Sequence, residues 1–110
     1  MDFQLTKDAE KLLCLMYKSY LDMYRINSSK SECNRFGNTR DIHKKFMPDQ
    51  YFADVDELVR ELKRNNLIAC DFGDNTFLEI SLTPSAIIYM ENRFKNGIKE
   101  LSDFISKFIP

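Results

Sequence analysis

DVDELVRELKRNNLIACDFGDNTFLEISLTP, residues 54–84, decides the fold because it encodes a helix, a β-hairpin and the start of a further helix. Apolar residues at positions 55, 58, 59 and 62 predict one buried helical face. Asp54 is expected to cap this helix, with Glu57 completing a capping box. Asn65-Asn66 is expected to end it, because asparagine tolerates left-handed backbone conformations.

The second half of the same stretch predicts the hairpin. Residues 67–72 and 76–82 are expected to be its strands, and Gly73-Asp74-Asn75 is a turn signal between them. Thr83-Pro84 then predicts a new helix, with threonine as its cap and proline in its first position.

The preceding segment, residues 38–47, predicts a short helix that begins at Asn38-Thr39 and stops before Pro48. Residues 26–38 have the composition of a polar loop. Tyr51 and Phe52 connect the short helix to the next one and are expected to fill the core.

Long apolar stripes mark both ends of the chain. Residues 6–26 predict a helix capped by Thr6, with a first stripe at Ala9, Leu12, Met16, Tyr20 and Met23 and a second at Leu13, Tyr17, Leu21 and Tyr24. Two stripes indicate a helix that is covered on more than one side, either by the rest of the domain or by a second copy.

The last two helices are expected at residues 83–95 and 98–109. The stripe of the final helix either closes the core or joins the first helix in a homodimer interface. We favour the interface, whose expected residues are Leu12, Met16, Tyr20, Ile98, Leu101, Ile105 and Phe108.

Length and composition indicate one globular domain, residues 1–110, that is mainly α with a β-hairpin. A net charge of −1 excludes a uniformly basic nucleic-acid binder, but it does not exclude local basic patches. No apolar run is long enough to span a membrane, and the N-terminus lacks the features of a signal peptide. The expected location is the cytoplasm.

Residues with catalytic or metal-binding chemistry are sparse. The three glycines lie far apart, and His43 is the one histidine, with no recognisable acid or nucleophile partner, so we expect no enzyme, cofactor or metal site. The three cysteines are expected to be free thiols, with Cys33 as the candidate if one senses redox state. Tyr17, Tyr20 and Tyr24 either pack in the core or line a small-molecule pocket.

The order of two helices, a β-hairpin and a further helix describes a winged helix-turn-helix. Residues 55–68 resemble the third helix and strand entry of that superfamily, and Leu82-Thr83-Pro84 resembles the exit from the wing in MarR-type regulators. The layout is also similar to the small YjcQ-like proteins of Gram-positive bacteria and their phages. The resemblance covers about residues 39–94.

This resemblance implies a dimeric, DNA-binding transcriptional regulator whose third helix enters the major groove. Residues 25–48 carry six basic and two acidic side chains, a local charge of +4, and residues 59–70 carry +2. Such zones can neutralise phosphates on double-stranded DNA. The candidate DNA-binding residues are Arg40, Lys44, Lys45, Arg60, Lys63 and Arg64.

Two features differ from a DNA-binding winged helix. The third helix begins with three carboxylates, Asp54, Asp56 and Glu57, where base contacts are usual. The wing carries Asp74-Asn75-Thr76 near its tip, where MarR-type wings carry an arginine beside an aspartate. An alternative function is therefore a winged-helix module that binds a partner protein with a basic surface and does not bind DNA.

Overall fold

A computed structural model of the chain describes residues 4–26, 29–73 and 76–108. The elements run in the order α1 Lys7–Arg25, α2 Lys30–Cys33, α3 Thr39–Phe46, α4 Phe52–Arg64, β1 Ile68–Gly73, β2 Thr76–Leu82, α5 Pro84–Arg93 and α6 Ile98–Ser106. This part of the chain is mainly helical with one two-stranded antiparallel sheet, which confirms the expected fold class at that level.

Helix α1 lies at the centre of the fold and packs against α2, α3, α4, α5 and α6. It starts at Thr6, whose Oγ1 accepts a hydrogen bond from the N–H of Ala9, as predicted. Leu12 and Met16 from the first stripe are buried, as are Leu13 and Tyr17 from the second. Neighbouring helices of the same chain therefore cover both stripes.

The packing of α6 on α1 corrects the predicted dimer interface. Leu12, Met16 and Leu101 are fully buried and Tyr20 is nearly so, all within the single chain. These four side chains have no surface to offer to a second folded copy. The other three predicted interface residues, Ile98, Ile105 and Phe108, remain partly exposed.

Helix α3 begins with a full capping box. Asn38 Oδ1 accepts from the N–H of Asp41, and Asp41 Oδ2 accepts from the N–H of Asn38, at 2.9 and 3.1 Å. Helix α4 begins at Phe52, two residues before the predicted start, and its N-cap Tyr51 makes no side-chain cap. The predicted capping box of Asp54 and Glu57 is therefore wrong, because both residues already lie inside the helix.

Tyr51 also does not fill the core, since its side chain is 82% exposed. Phe52 is half-buried and meets the ring of His43 edge-on at 5.8 Å between centroids. His43 Nε2 lies 2.7 Å from the carbonyl oxygen of Gln50. The histidine thus joins α3 to the turn before α4, which is a structural role.

The hairpin contains a β-bulge. Ala69 pairs with Ser81 and Asp71 with Leu78, so Cys70 on β1 stands opposite two residues of β2. Glu79, one of those two, has φ 52°, in the left-handed region. Asp74 and Asn75 of the predicted turn lie outside the described residues.

Residues 34–37 cover the outer edge of β2, which the sequence did not predict. The N–H of Phe36 donates to the Ile80 carbonyl at 3.0 Å, and the N–H of Ile80 donates to the Gly37 carbonyl at 2.8 Å. The side-chain amide of Asn34 exchanges two further bonds with the backbone of Leu82. These bonds pair backbone groups of β2 that would otherwise be unpaired at the edge of the sheet.

The predicted polar loop also contains α2, capped by Ser29, whose Oγ accepts from the N–H of Glu32. Cys33 ends this helix and is fully buried. Its proposed redox-sensing role is corrected, because a sensor thiol must be accessible. Asn27 and Ser28 of this loop lie outside the described residues.

The end of α4 and the start of α5 follow the prediction. Asn66 has φ 58°, and Thr83 Oγ1 accepts from the N–H of Ala86 at the start of α5. The same hydroxyl donates to the Asn66 carbonyl at 2.8 Å, so the helix exit and the next helix start are bonded together. None of the helices in the described residues has the length and apolar character needed to cross a lipid bilayer.

Candidate nucleic-acid interface

The three predicted cations of α3 are all exposed. The guanidinium of Arg40 lies over the ring of Phe52, 5.2 Å from its centroid, which directs it towards the start of α4. Lys44 follows four residues later and therefore lies on the same side of α3. Lys45 turns elsewhere, since its ammonium lies 5.4 Å from the ring centroid of Phe46.

Arg60 of α4 is held at two places. Its Nε donates to Oδ2 of Asp56 at 3.0 Å, and its guanidinium lies 5.1 Å from the ring centroid of Phe77 on β2. The side chains of Arg60 and Asp56 are 35% and 23% exposed. The arginine thus spans from the helix to the hairpin at a partly exposed position.

These contacts form a continuous line, here called the cation–aromatic row. Phe52, Asp56 and Arg60 are spaced by four residues and share one side of α4. Arg40 extends the row towards α3, and Phe77 extends it along the hairpin. Phe72, which is 61% exposed and meets Phe77 edge-on at 5.8 Å, completes it.

Lys63 lies on the hairpin side of α4 and is exposed. Burial raises the pKa of the Cys70 thiol on β1, and the positive charge of Lys63 partly offsets this rise in pKa. Lys63 follows Arg60 by three residues and therefore lies beside it on α4.

Arg64 follows Arg60 by four residues, one helical turn further along α4, and lines a cleft of about 340 Å³ between that helix and the start of α1. Glu61, in the same cleft, accepts hydrogen bonds from the N–H and the hydroxyl of Thr6, at 2.7 and 2.8 Å. The acidic residues that line the cleft with Arg64 are Asp8, Asp54, Glu57 and Glu61. Arg64 therefore lies in a negatively charged environment.

The structure thus brings four of the six predicted cations together: Arg40, Lys44, Arg60 and Lys63 lie along or beside the row. Lys45 lies over Phe46 and is directed elsewhere, and Arg64, one turn beyond Arg60, lies among the carboxylates of the cleft. Within residues 4–26, 29–73 and 76–108, Arg60 is the member of the predicted set that forms an ion pair.

Sequence reasoning missed the aromatic members of this surface. The spacing of Phe52, Asp56 and Arg60 by four residues was a readable signal for a shared helix side. The contacts of Arg60 with Phe77 and of Arg40 with Phe52 join separate elements, so no local pattern contained them.

The tyrosines of α1 belong to the core rather than to a ligand pocket. Tyr17 and Tyr20 are buried, with ring centroids 6.2 Å apart, while Tyr24 is about half exposed. Burial raises the pKa of both Tyr17 and Tyr20. A separate groove of about 540 Å³ lies between the end of α5 and α6, lined by residues that include Arg93, Phe94 and Phe104.

Comparisons of this chain with protein-family models, curated proteins and solved structures found no match. Its function must therefore be argued from its own residues and geometry.

Proposed function

We propose that this chain is a winged-helix protein that binds double-stranded DNA through α3 and α4, acting in the cytoplasm as a bacterial or phage transcriptional regulator. In this proposal α4 is the recognition helix and the β1–β2 hairpin is the wing. The packing of α3 against α4 and of α4 against β1 supports this arrangement. The bonding of residues 36 and 37 to Ile80 supports it too, since it joins the segment before α3 to the hairpin.

The observation that carries the proposal is the set of exposed cations on two consecutive packed helices. Five of the six predicted side chains have no ion-pair partner among the described residues, and all five are exposed: Arg40, Lys44, Lys45, Lys63 and Arg64. Arg64 shares its cleft with four carboxylates. The other four charges have no such neighbours in that cleft and remain available to phosphates, whose neutralisation dominates affinity for DNA.

The carboxylates at the start of α4 oppose this binding less than the sequence suggests. Asp56 is paired with Arg60, so its charge is balanced locally. Asp54 and Glu57 line the cleft beside α1, together with Arg64. The row therefore presents a basic and aromatic surface even though α4 contains four acidic residues.

A charge-reversal series with a matched control tests the proposal. We expect the wild-type chain to bind a labelled mixed-sequence duplex at about 50 mM salt, with affinity that falls as salt rises. Replacing Arg40, Lys44 and Lys63 with glutamate should lower the affinity at least about tenfold and reduce the log–log salt slope by about 0.9 for each lost phosphate contact.

The control replaces Lys95, Lys99 and Lys107 with glutamate. These exposed residues lie in or beside α6, which packs on α1, and the change in net charge is the same. Equal losses in the two triple variants would show that net charge alone acts and would contradict the assigned surface. No binding by the wild type at low salt would contradict DNA binding altogether.

The second candidate function is a protein-interaction module, and two exposed aromatic residues favour it. Tyr51 is 82% exposed and Phe72 is 61% exposed. Aromatic residues and arginine are enriched at protein interfaces. Tyr51, Asp54 and Glu57 lie at the same end of α4, and this end would suit a partner that carries basic groups. Absence of DNA binding in the experiment above would favour this second candidate.

The expected homodimer remains a prediction with a reduced set of contacts. Of the predicted interface residues, Ile98, Ile105 and Phe108 are the ones with surface left to contribute. Sedimentation at tens of micromolar tests it, and a monomer at that concentration would exclude a dimer of useful stability.

A further inference from the structure

We propose that Arg60 is a specificity-determining residue that reads a guanine in the major groove, and that Asp56 and Phe77 orient it for this contact. The inference rests on the proposed function and names the base-reading residue of the same surface.

The geometry of Arg60 leaves one end of its side chain free. Its Nε donates to Asp56 at 3.0 Å, and the ring of Phe77 lies 5.1 Å from the guanidinium carbon. Neither terminal nitrogen of Arg60 has a hydrogen-bond acceptor among the described residues. The terminal N–H groups of a side chain whose position is already restrained therefore make no hydrogen bond within the described residues.

Arg93 provides the contrast within the same molecule. It too is held by a carboxylate and an aromatic ring, since it pairs with Glu10 and lies 4.5 Å from the ring centroid of Phe104. Its terminal nitrogens, however, donate to Glu10 and to the hydroxyl of Tyr89. Both terminal nitrogens of Arg93 therefore donate hydrogen bonds within the protein, whereas those of Arg60 have no acceptor among the described residues.

Two adjacent N–H donors match the O6 and N7 acceptors that guanine presents in the major groove. An arginine that is oriented in advance loses less conformational entropy when it binds. This also gives Asp56 a positive role in DNA recognition, although its carboxylate opposed DNA binding when read from the sequence. Arg40, at the Phe52 end of the row, and Lys63, beside Arg60, would contact phosphates and hold α4 in the groove.

The test selects binding sites from a randomised duplex library and then measures competition between the selected duplex and its variants. The wild type should prefer one G·C pair over A·T by about 5- to 150-fold, the range that a bidentate contact supplies. Replacing that guanine with 7-deazaguanine removes the N7 acceptor and should cost the wild type most of this preference.

Two variants separate the effect of the geometry of the Arg60 side chain from the effect of its charge. Arg60→Lys keeps the positive charge but loses the planar fork, so non-specific affinity and salt slope should persist while the G·C preference is lost. Asp56→Asn removes the carboxylate that restrains Arg60, so non-specific affinity should rise or stay level while the preference falls. Arg93→Lys is the matched control and should keep the full preference.

The possible failures are distinguishable. If Arg60→Lys selects the same G·C pair with the same preference, or if the wild type binds duplex DNA with no base preference, the role of Arg60 is refuted while DNA binding stands. If the wild type binds no duplex at low salt, both proposals fall, and the free donors of Arg60 would then suit a carboxylate of a protein partner.

Discussion

The α3–α4–hairpin region and the α1–α6 layer use similar residue types in opposite ways. In the first region cations remain exposed on packed helices, and the terminal nitrogens of Arg60 have no acceptor among the described residues. In the second, apolar stripes bury one another, and Arg93 is fully engaged by Glu10 and Tyr89. Whether an apolar stripe or a basic side chain is buried or exposed therefore depends on the element that packs beside it.

The largest expected effect tests the assignment of α6 to the core. Leu101→Ala should lower the free energy of unfolding by about 2–5 kcal/mol, because it removes a fully buried side chain and leaves a cavity. Denaturant unfolding measures this. The control Ile88→Ala changes a side chain that is 57% exposed and should stay within about 0.5 kcal/mol of the wild type. Unchanged stability of Leu101→Ala with loss of self-association would restore the dimer interface.

The next largest effect on the free energy of unfolding concerns Gly37, in the segment that joins α3 to the hairpin. Gly37 has φ 77°, and a Cβ there would clash with Oδ2 of Asp41, inside the α3 capping box. Gly37→Ala should therefore cost about 2–4 kcal/mol in denaturant unfolding, from left-handed strain and loss of the cap together.

Gly97→Ala is the matched comparison, because Gly97 has φ 87° but a Cβ there would meet no neighbouring atom of the described residues within 4 Å. It should cost only the conformational strain, about 1–3 kcal/mol, because φ 87° and ψ −151° lie in a region nearly restricted to glycine. A loss below about 1 kcal/mol in Gly37→Ala would contradict the predicted clash with the capping box.

The smallest effect concerns a buried thiol beside α5. Burial raises the pKa of Cys14 to about 12 from its ordinary value of 9.0. Between these values the folded chain keeps a proton that the unfolded chain loses, so stability falls as pH rises above 9. The slope approaches about 1.4 kcal/mol per pH unit for this one group.

Unfolding free energies at about pH 8.5 and 10 measure this slope, and the wild type should lose about 1 kcal/mol from this group between them. Cys14→Ala should show a shallower decline, whereas Cys70→Ser, at a less buried position, should keep most of it. The same decline in Cys14→Ala as in the wild type would contradict this assignment.

Much of the local structure was predictable because its causes are local. Thr6 and Thr83 cap their helices through bonds that reach only three residues along the chain. Asn66 adopts the left-handed backbone conformation because asparagine tolerates it and the residue stands directly after the end of a helix. The two strands also lie within one residue of the bounds predicted on either side of the turn signal.

The failures have equally specific causes. Asp54 and Glu57 fit a capping box by spacing, but α4 starts at Phe52, whose ring packs against His43 of α3. Residues 34–37 look like a polar loop, yet their backbone and the Asn34 amide bond to β2, an element more than forty residues away. Pairings at such distances have no local signature.

The same distinction between local and non-local causes applies to the residues of the candidate site. Its charged residues were all visible in the sequence, and four of the six came together. Their companions Phe52, Phe72 and Phe77 were not identified, because an aromatic residue at helical or strand spacing reads first as core.

By itself, the amino-acid sequence determined the type and approximate bounds of the main helices and strands, since periodicity, caps and turn residues act over a few positions. Tertiary structure alone decided which apolar stripe is covered by the same chain and which cations stay free. It also decided that Arg60 turns to Phe77 while Arg93 is enclosed by Glu10 and Tyr89. Burial and ion pairing depend on distances between segments, and those distances exist only after the chain has folded.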